Sequence, residues 1–280
     1  MNNNSRYAVS FLTLDQLKAF ESLSREFKPP VIRVYVSSDL VLDDEYSLNL
    51  CKTIAQKSPQ TEWILMLPEI LRSKEETYLQ AVDQLLEKKD PFTGVLTGSI
   101  EGIGYYAGKN IKLYGDHNLY LWNSHAIHAM SSMLSGGCLP LELNVTEQKD
   151  LLQLSFPWDK IVYGHIPMMI TANCVAKTTD QCQKAYHGEH SFYLQDRMNK
   201  SFPVRLVCRH CFNVIYNCLP LSLHKELGKY QEKSCLRLQF TLEDHKLTEE
   251  ILRFFLMSDP KESKPPYAEY TTGHEKRGVL

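Results

Sequence analysis

From Tyr7 onward the chain alternates short apolar runs with longer stretches in which apolar positions recur at helical spacing. β-rich runs that alternate with amphipathic segments are the pattern of repeated βα units around a parallel sheet. Tyr7–Leu12, Val31–Val36, Trp63–Leu67, Gly94–Thr97, Ile111–Gly115, Leu139–Leu143 and Ile161–Tyr163 predict strands of this kind. Thr13 with Gln16 has the form of a capping box and opens a helix that carries Leu14, Leu17 and Phe20 on one face. Another alternating strand comes only after a long irregular stretch, at Leu236–Thr241, and Thr248 with Glu249 and Glu250 starts a helix running to about Met257.

These eight βα units predict an α/β fold: a TIM-like (βα) barrel, closed or partial, with a cysteine-rich metal-binding subdomain inserted between its seventh and eighth strands. The barrel portion is residues 1–170, the cysteine-rich subdomain 171–218, and the final βα unit with the carboxy-terminal tail 219–280. Lys261–Pro266 reads as a Pro/Lys-rich loop.

Composition adds little that is specific. With 280 residues, 43% of them hydrophobic and 23% charged, the chain can bury a large core, and a formal net charge of −2 indicates no dominant nucleic-acid-binding field. A local basic groove remains compatible with that balance. Met1–Arg6 is polar, without the pattern of a secretory signal, and no apolar run approaches the roughly 18 residues needed to span a membrane. The expectation is a cytoplasmic protein without a membrane partner. Its eight cysteines should then stay reduced, so clustered ones read as metal ligands or redox groups.

Cys174, Cys182, Cys208 and Cys211 fall in a segment that also holds His187, His190 and His210. Thiolates are soft ligands suited to an iron–sulfur cluster or zinc, and the Cys208-x-x-Cys211 pair sets two of them within reach of one centre. The plainer reading is four separate buried thiols packing as small hydrophobes. Cys218 or Cys235 can replace Cys208 as the fourth ligand, although core packing is the ordinary role for both. Cys51 and Cys138 lie far away and receive no ligand role.

Several runs resemble the carboxy-terminal core of the peptidase U-32, or collagenase-like, family. They are Tyr163–Thr171, Cys174, Cys182, Tyr193–Arg197, Phe202–Val204, and Cys211 with Ile215–Asn217. Pro220–Leu223, Arg237–Thr241, and Gly273-His274 with Arg277-Gly278-Val279 extend the similarity, which is best over residues 110 to 280. The family name implies proteolysis. The resemblance also implies RNA hydroxylation, oxygen-independent or prephenate-dependent, or a ubiquinone-hydroxylation factor, with RNA as partner and a cysteine-bound iron–sulfur cluster of the four-iron four-sulfur type. The implied ligands are Cys174, Cys182 and Cys211, with Cys208 as the fourth. His165 stands where many relatives have arginine. The region that opens longer members has no counterpart ahead of residue 1, which implies one part of a split protein whose second polypeptide supplies that region, a truncated gene product, or a reduced paralogue.

Other candidates follow from position. Asp116, Asn118 and Asn123 come just after a predicted barrel strand, on the face where such folds build their sites, and would hold a polar substrate; loop and helix capping is the competing reading. His274 and Arg277 would hold an anionic substrate, or belong to an exposed tail with ordinary polar contacts. Asp196 and Arg197 can form a structural ion pair. Gly102-Ile-Gly104 with Gly108 has the wrong spacing for a dinucleotide loop. No zinc-protease helix, nucleophile elbow or recognisable triad appears, so no catalytic residue is assigned. Three functions compete: iron–sulfur-dependent RNA base hydroxylation, a U-32-type endopeptidase, and a zinc-stabilised RNA-binding or assembly module.

Overall fold

Short apolar strands that leave side chains on both faces need cover on both, and a closed ring of strands with helices outside supplies it. The computed structural model describes residues 6–23, 31–71, 75–180, 182 and 191–277. His187, His190, Gly278 and Val279 lie outside them. The barrel strands are β1 (Tyr7–Phe11), β2 (Val31–Ser37), β3 (Glu62–Met66), β4 (Phe92–Thr97), β5 (Lys112–Gly115), β6 (Gly136–Cys138) and β7 (Trp158–Gly164). An inserted lobe follows, made of β8 (Pro167–Thr171), β9 (Ser191–Gln195), β10 (Ser201–Val207) and β11 (Phe212–Tyr216). Then come β12 (Leu221–Ser222) and the last barrel strand, β13 (Ser234–Gln239). Neighbouring barrel strands are parallel throughout, and the β1–β13, β13–β7 and β7–β6 pairings close the ring. The fold is therefore a closed eight-stranded TIM-like barrel, with the lobe inserted between its seventh and eighth strands.

The helices are α1 (Leu14–Leu23), α2 (Ser38–Asp43), α3 (Glu45–Lys57), α4 (Glu76–Glu87), α5 (Ile100–Tyr106), α6 (Ser124–Met130), α7 (Val145–Leu151), α8 (Val175–Thr178) and α9 (His245–Met257). Thr13 and Gln16 form the expected reciprocal cap of α1: Gln16 N donates to Thr13 Oγ1 at 3.3 Å, and Thr13 N donates to Gln16 Oε1 at 3.2 Å. Leu17 and Phe20 of that helix are buried against the strands. Among the described residues no helix is long and apolar enough to cross a membrane.

Two boundaries differ from expectation. The sixth strand is Gly136–Cys138 rather than Leu139–Leu143: Pro140 has no N–H to give a ladder, while glycine at 136 leaves room for the Pro157 carbonyl. Leu139 and Leu143 are still core residues. Helix α9 starts at His245 because Asp244 caps it, accepting from Leu247 N at 2.8 Å, so Thr248 lies inside the helix and is buried.

The barrel interior is unusually polar for this architecture, in which branched aliphatic side chains usually dominate. Arg33 is buried between Glu62 (2.9 Å) and Asp159 (3.0 Å), and the Tyr35 hydroxyl donates to Asp159 at 2.5 Å. Around this network pack Ala8, Ile64, Leu96, Tyr114 and Cys235. The larger apolar core lies between strands and helices and includes Cys51 and Cys138. These three cysteines have the packing role expected of them.

The lobe is a four-stranded antiparallel sheet in the order β8-β11-β10-β9. Val207, Phe212, Val214 and Tyr216 pack on Ile70 and Leu242 of the barrel loops, and so set the sheet over the carboxy-terminal ends of the barrel strands.

Candidate functional site

Barrel mouth and lobe enclose a cavity of about 50 Å³. Its walls come from the carboxy-terminal ends of barrel strands, through Ser10, Met66, Leu96, Arg237, Gln239 and Thr241, and from Asp116, His117 and Asn118 after β5. The lobe contributes Pro167, Arg205, Val207 and Tyr216. A volume of this size holds a few waters, so a larger ligand has to part the lobe from the mouth.

Asp116 is the hub. Its carboxylate caps the turn after β5, accepting from His117 N at 2.8 Å, and it also accepts from Arg237 Nη1 at 2.8 Å and Nη2 at 3.4 Å. Burial alone would raise the carboxyl, but Arg237 and His117 beside it hold it well below the usual carboxylate range. Arg205 reaches down from β10 to Glu69 at 2.8 Å. Ser10 Oγ, Arg205 Nε, Arg237 Nε, Gln239 Oε1 and Thr241 Oγ1 are buried without a hydrogen-bond partner among the described residues. Five such groups on the residues of one cavity are the polar inventory that ordered water or a bound ligand satisfies.

Asn118 also lines the cavity and packs against Gly98, where a β-carbon would collide with the Asn118 amide. Asn123 does not line it; its side chain accepts from Ala126 N at 2.9 Å and caps α6. His274 lines a different cavity, of about 240 Å³, with Lys160 and Asn217, outside the barrel. Arg277 is exposed in the tail. The expected polar set therefore divides: Asp116 and Asn118 meet at the mouth, while Asn123, His274 and Arg277 do not join them. Asp196 builds the β9–β10 turn, its carboxylate accepting from Met198 N and Lys200 N, each at 2.8 Å, in place of the ion pair expected with Arg197.

The cysteines of the lobe share one neighbourhood. Cys174 follows β8 and precedes α8, while Cys208 and Cys211 bracket the single turn between β10 and β11, Cys211 with φ +53°. Burial raises the Cys208 thiol, and proximity to Cys174, Cys182 and Cys211 raises it further. Cys182 and Cys211 are solvent-exposed. Among the described residues none of the eight cysteines is joined in a disulfide, and no three His, Cys, Asp or Glu side chains are placed to hold a metal ion together. Cys174, Cys182 and Cys211 all lie near enough to Cys208 to act on its thiol, and four thiols are in kind and number the donors that a cluster or zinc takes. Cys218 contacts Asn217 Oδ1 instead, and Cys235 is inside the barrel.

His210, between the two knuckle cysteines, is not a donor to that set. Its Nδ1 meets Glu75 Oε1 at 2.8 Å and its Nε2 meets Asp39 Oδ1 at 3.0 Å, with the ring edge-on to Tyr78. Burial would lower the imidazole, but the two carboxylates, one beside each ring nitrogen, raise it. Arg209 beside it pairs with Asp43. The knuckle is thus clamped onto α2 and the start of α4. Arg205, His210 and Arg237 were not singled out as site residues in the sequence; an arginine inside the apolar run of β13 was the available signal, since a charge there is buried only when paired.

No family model matches the chain, and no curated protein matches it. Among solved structures, an uncharacterized B. cereus protein is similar at 9% identity and a TM-score of 0.40; the match covers 88% of this chain and spans 64% of that one. A plant class V chitinase mutant from Cycas revoluta in complex with (GlcNAc)3 is similar at 9% identity and a TM-score of 0.38, over 84% of this chain and 94% of that one.

Proposed function

We propose that the chain is an iron–sulfur protein of the peptidase U-32 family that hydroxylates a pyrimidine base of RNA, or is the component of such an enzyme that carries the cluster. One observation carries this reading. Runs that resemble the family and lie far apart in the chain supply Pro167, Tyr216, Arg237, Gln239 and Thr241 to a single cavity, and the lobe that roofs it carries the four clustered cysteines. Cys174, Cys182, Cys208 and Cys211 would hold the cluster, which supplies one-electron redox chemistry when bound. The chain's own residues at the mouth bind and orient: Arg237, fixed by Asp116, and Arg205, fixed by Glu69, present hydrogen-bond donors, while Gln239 and Thr241 offer acceptors. The lobe shields this space from bulk water, which strengthens each of those contacts. The reading includes a cytoplasmic setting, where thiols stay reduced.

Zinc is the second reading of the same thiols, favoured by the all-sulfur donor set. Proteolysis gains nothing from the Ser222–His224 contact at 2.8 Å, because both side chains are buried with Tyr267 and Tyr270, away from the cavity. Anaerobic purification followed by iron, zinc and acid-labile sulfide analysis separates the cofactors. Nucleoside mass spectrometry of ribosomal and transfer RNA tests the reaction. Iron with sulfide, and a hydroxylated pyrimidine that disappears with the gene, is the expected pair of results; zinc alone and unchanged RNA would overturn the reading.

A further inference from the structure

We infer that the β9–β10 hairpin of the lobe is the grip by which this chain holds single-stranded RNA beside the cavity, an inference that rests on the RNA reading above. Tyr193 on β9 lies directly opposite Pro203 on β10, and Pro203 is two residues from Arg205, which lines the cavity. Alternate residues of a strand share a face, so Tyr193 stands on the same side of the sheet as Arg205, at its outer margin. It is 67% exposed, and Met198 at the hairpin tip is 79% exposed. A large aromatic left in solvent on the face that roofs a cavity is a surface on which a base can stack.

The turn that joins the strands supplies the charge. Asp196 folds its carboxylate onto the backbone N–H groups of Met198 and Lys200, and Gln195 Nε2 donates to Asn199 Oδ1 at 3.3 Å. Asn199 takes the left-handed conformation, φ +59°, that closes the turn. The hairpin's acid thus engages backbone N–H groups within the turn, and Arg197 and Lys200 are exposed with no ion-pair partner among the described residues. An aromatic platform flanked by two unpaired cations is complementary to a base and its neighbouring phosphates. A strand held there lies on the face that continues to Arg205 and the cavity, so one nucleotide along it is carried to the mouth.

The test uses the full chain, purified anaerobically, and a fluorescein-labelled single-stranded RNA whose binding is followed by anisotropy over a salt series. Tyr193→Ala is expected to weaken binding about tenfold, with Tyr193→Phe close to the unsubstituted chain. Arg197→Gln with Lys200→Gln is expected to reduce the magnitude of the log–log salt slope by about 1.4, or roughly 0.7 for each phosphate no longer neutralised. All of these positions are exposed, so unchanged melting temperatures confirm that the variants fold. Unchanged affinity and slope in the variants, with RNA still bound, would overturn the hairpin's role and leave the RNA reading standing. Failure of the unsubstituted chain to bind RNA would overturn both. Self-association that Tyr193→Ala abolishes while RNA affinity is untouched would overturn the inference in favour of a protein partner.

Discussion

Arg237 Nη1 lies 2.8 Å from Asp116 Oδ1, and this contact ties the last barrel strand to the loop after β5 across the mouth of the barrel. Both side chains are largely sealed from solvent, at 0% and 14% exposure, so each is the main compensation for the other's burial.

Removing both partners should therefore cost less than the two single removals added together. Arg237→Met leaves a buried carboxylate and should destabilise the fold by about 3–5 kcal/mol, while the double variant with Asp116→Asn should lose less than the sum of the single losses. Urea unfolding of the four proteins measures the coupling. Additive losses would show that the pair is not coupled.

The same pair sets a pH dependence. Because the folded carboxyl of Asp116 lies below its unfolded value of 3.8, its stabilisation is complete well above that value and is lost as pH falls from there through the folded value. The stability difference between the natural chain and Asp116→Asn should be flat from neutral pH to about 5 and shrink below about 4. A difference that grows on acidification would contradict the assignment.

Lobe docking depends on His210. His210→Ala removes the hydrogen bonds to Asp39 and Glu75, for a loss of roughly 2–3 kcal/mol. Hydrogen exchange should quicken mainly across β8–β11, with the barrel strands less affected. Uniform acceleration over the whole chain would mean that the clamp belongs to the global fold instead.

Among the thiols, Cys182→Ser and Cys211→Ser should lower metal content, because a hydroxyl is a poor replacement for a soft thiolate, whereas Cys51→Ser and Cys138→Ser should alter packing alone. Both latter residues are buried in the core between strands and helices. Equal metal content in all four variants would remove the ligand assignment.

What could be read from the sequence was local. Apolar runs such as Val31–Val36 and Trp63–Leu67 mark barrel strands because a strand buried on both faces is apolar at nearly every position, and Thr13 with Gln16 marks a cap because both partners sit within four residues. Gly136 and Gly137 hid the sixth strand, since glycine carries no strand propensity and its role there is close backbone approach. The site itself was only half legible. Asp116 was found by its place after a strand, but its partner is 121 residues away, and the Asp39 partner of His210 is 171 residues away. Pairings at that separation are set by barrel closure and lobe docking, which no local pattern records. Asn123 shows the converse: a side chain suited to substrate binding is equally suited to capping a helix, and α6 takes it for that.

The most direct test of the account is the nucleoside mass spectrum of RNA from cells that lack this gene and are resupplied with the natural chain, with Cys211→Ser, or with Arg237→Gln. The account predicts a hydroxylated pyrimidine that is absent without the gene, restored by the natural chain, and restored weakly or not at all by either variant. A spectrum that is identical with and without the gene, or restored equally by all three chains, would contradict it.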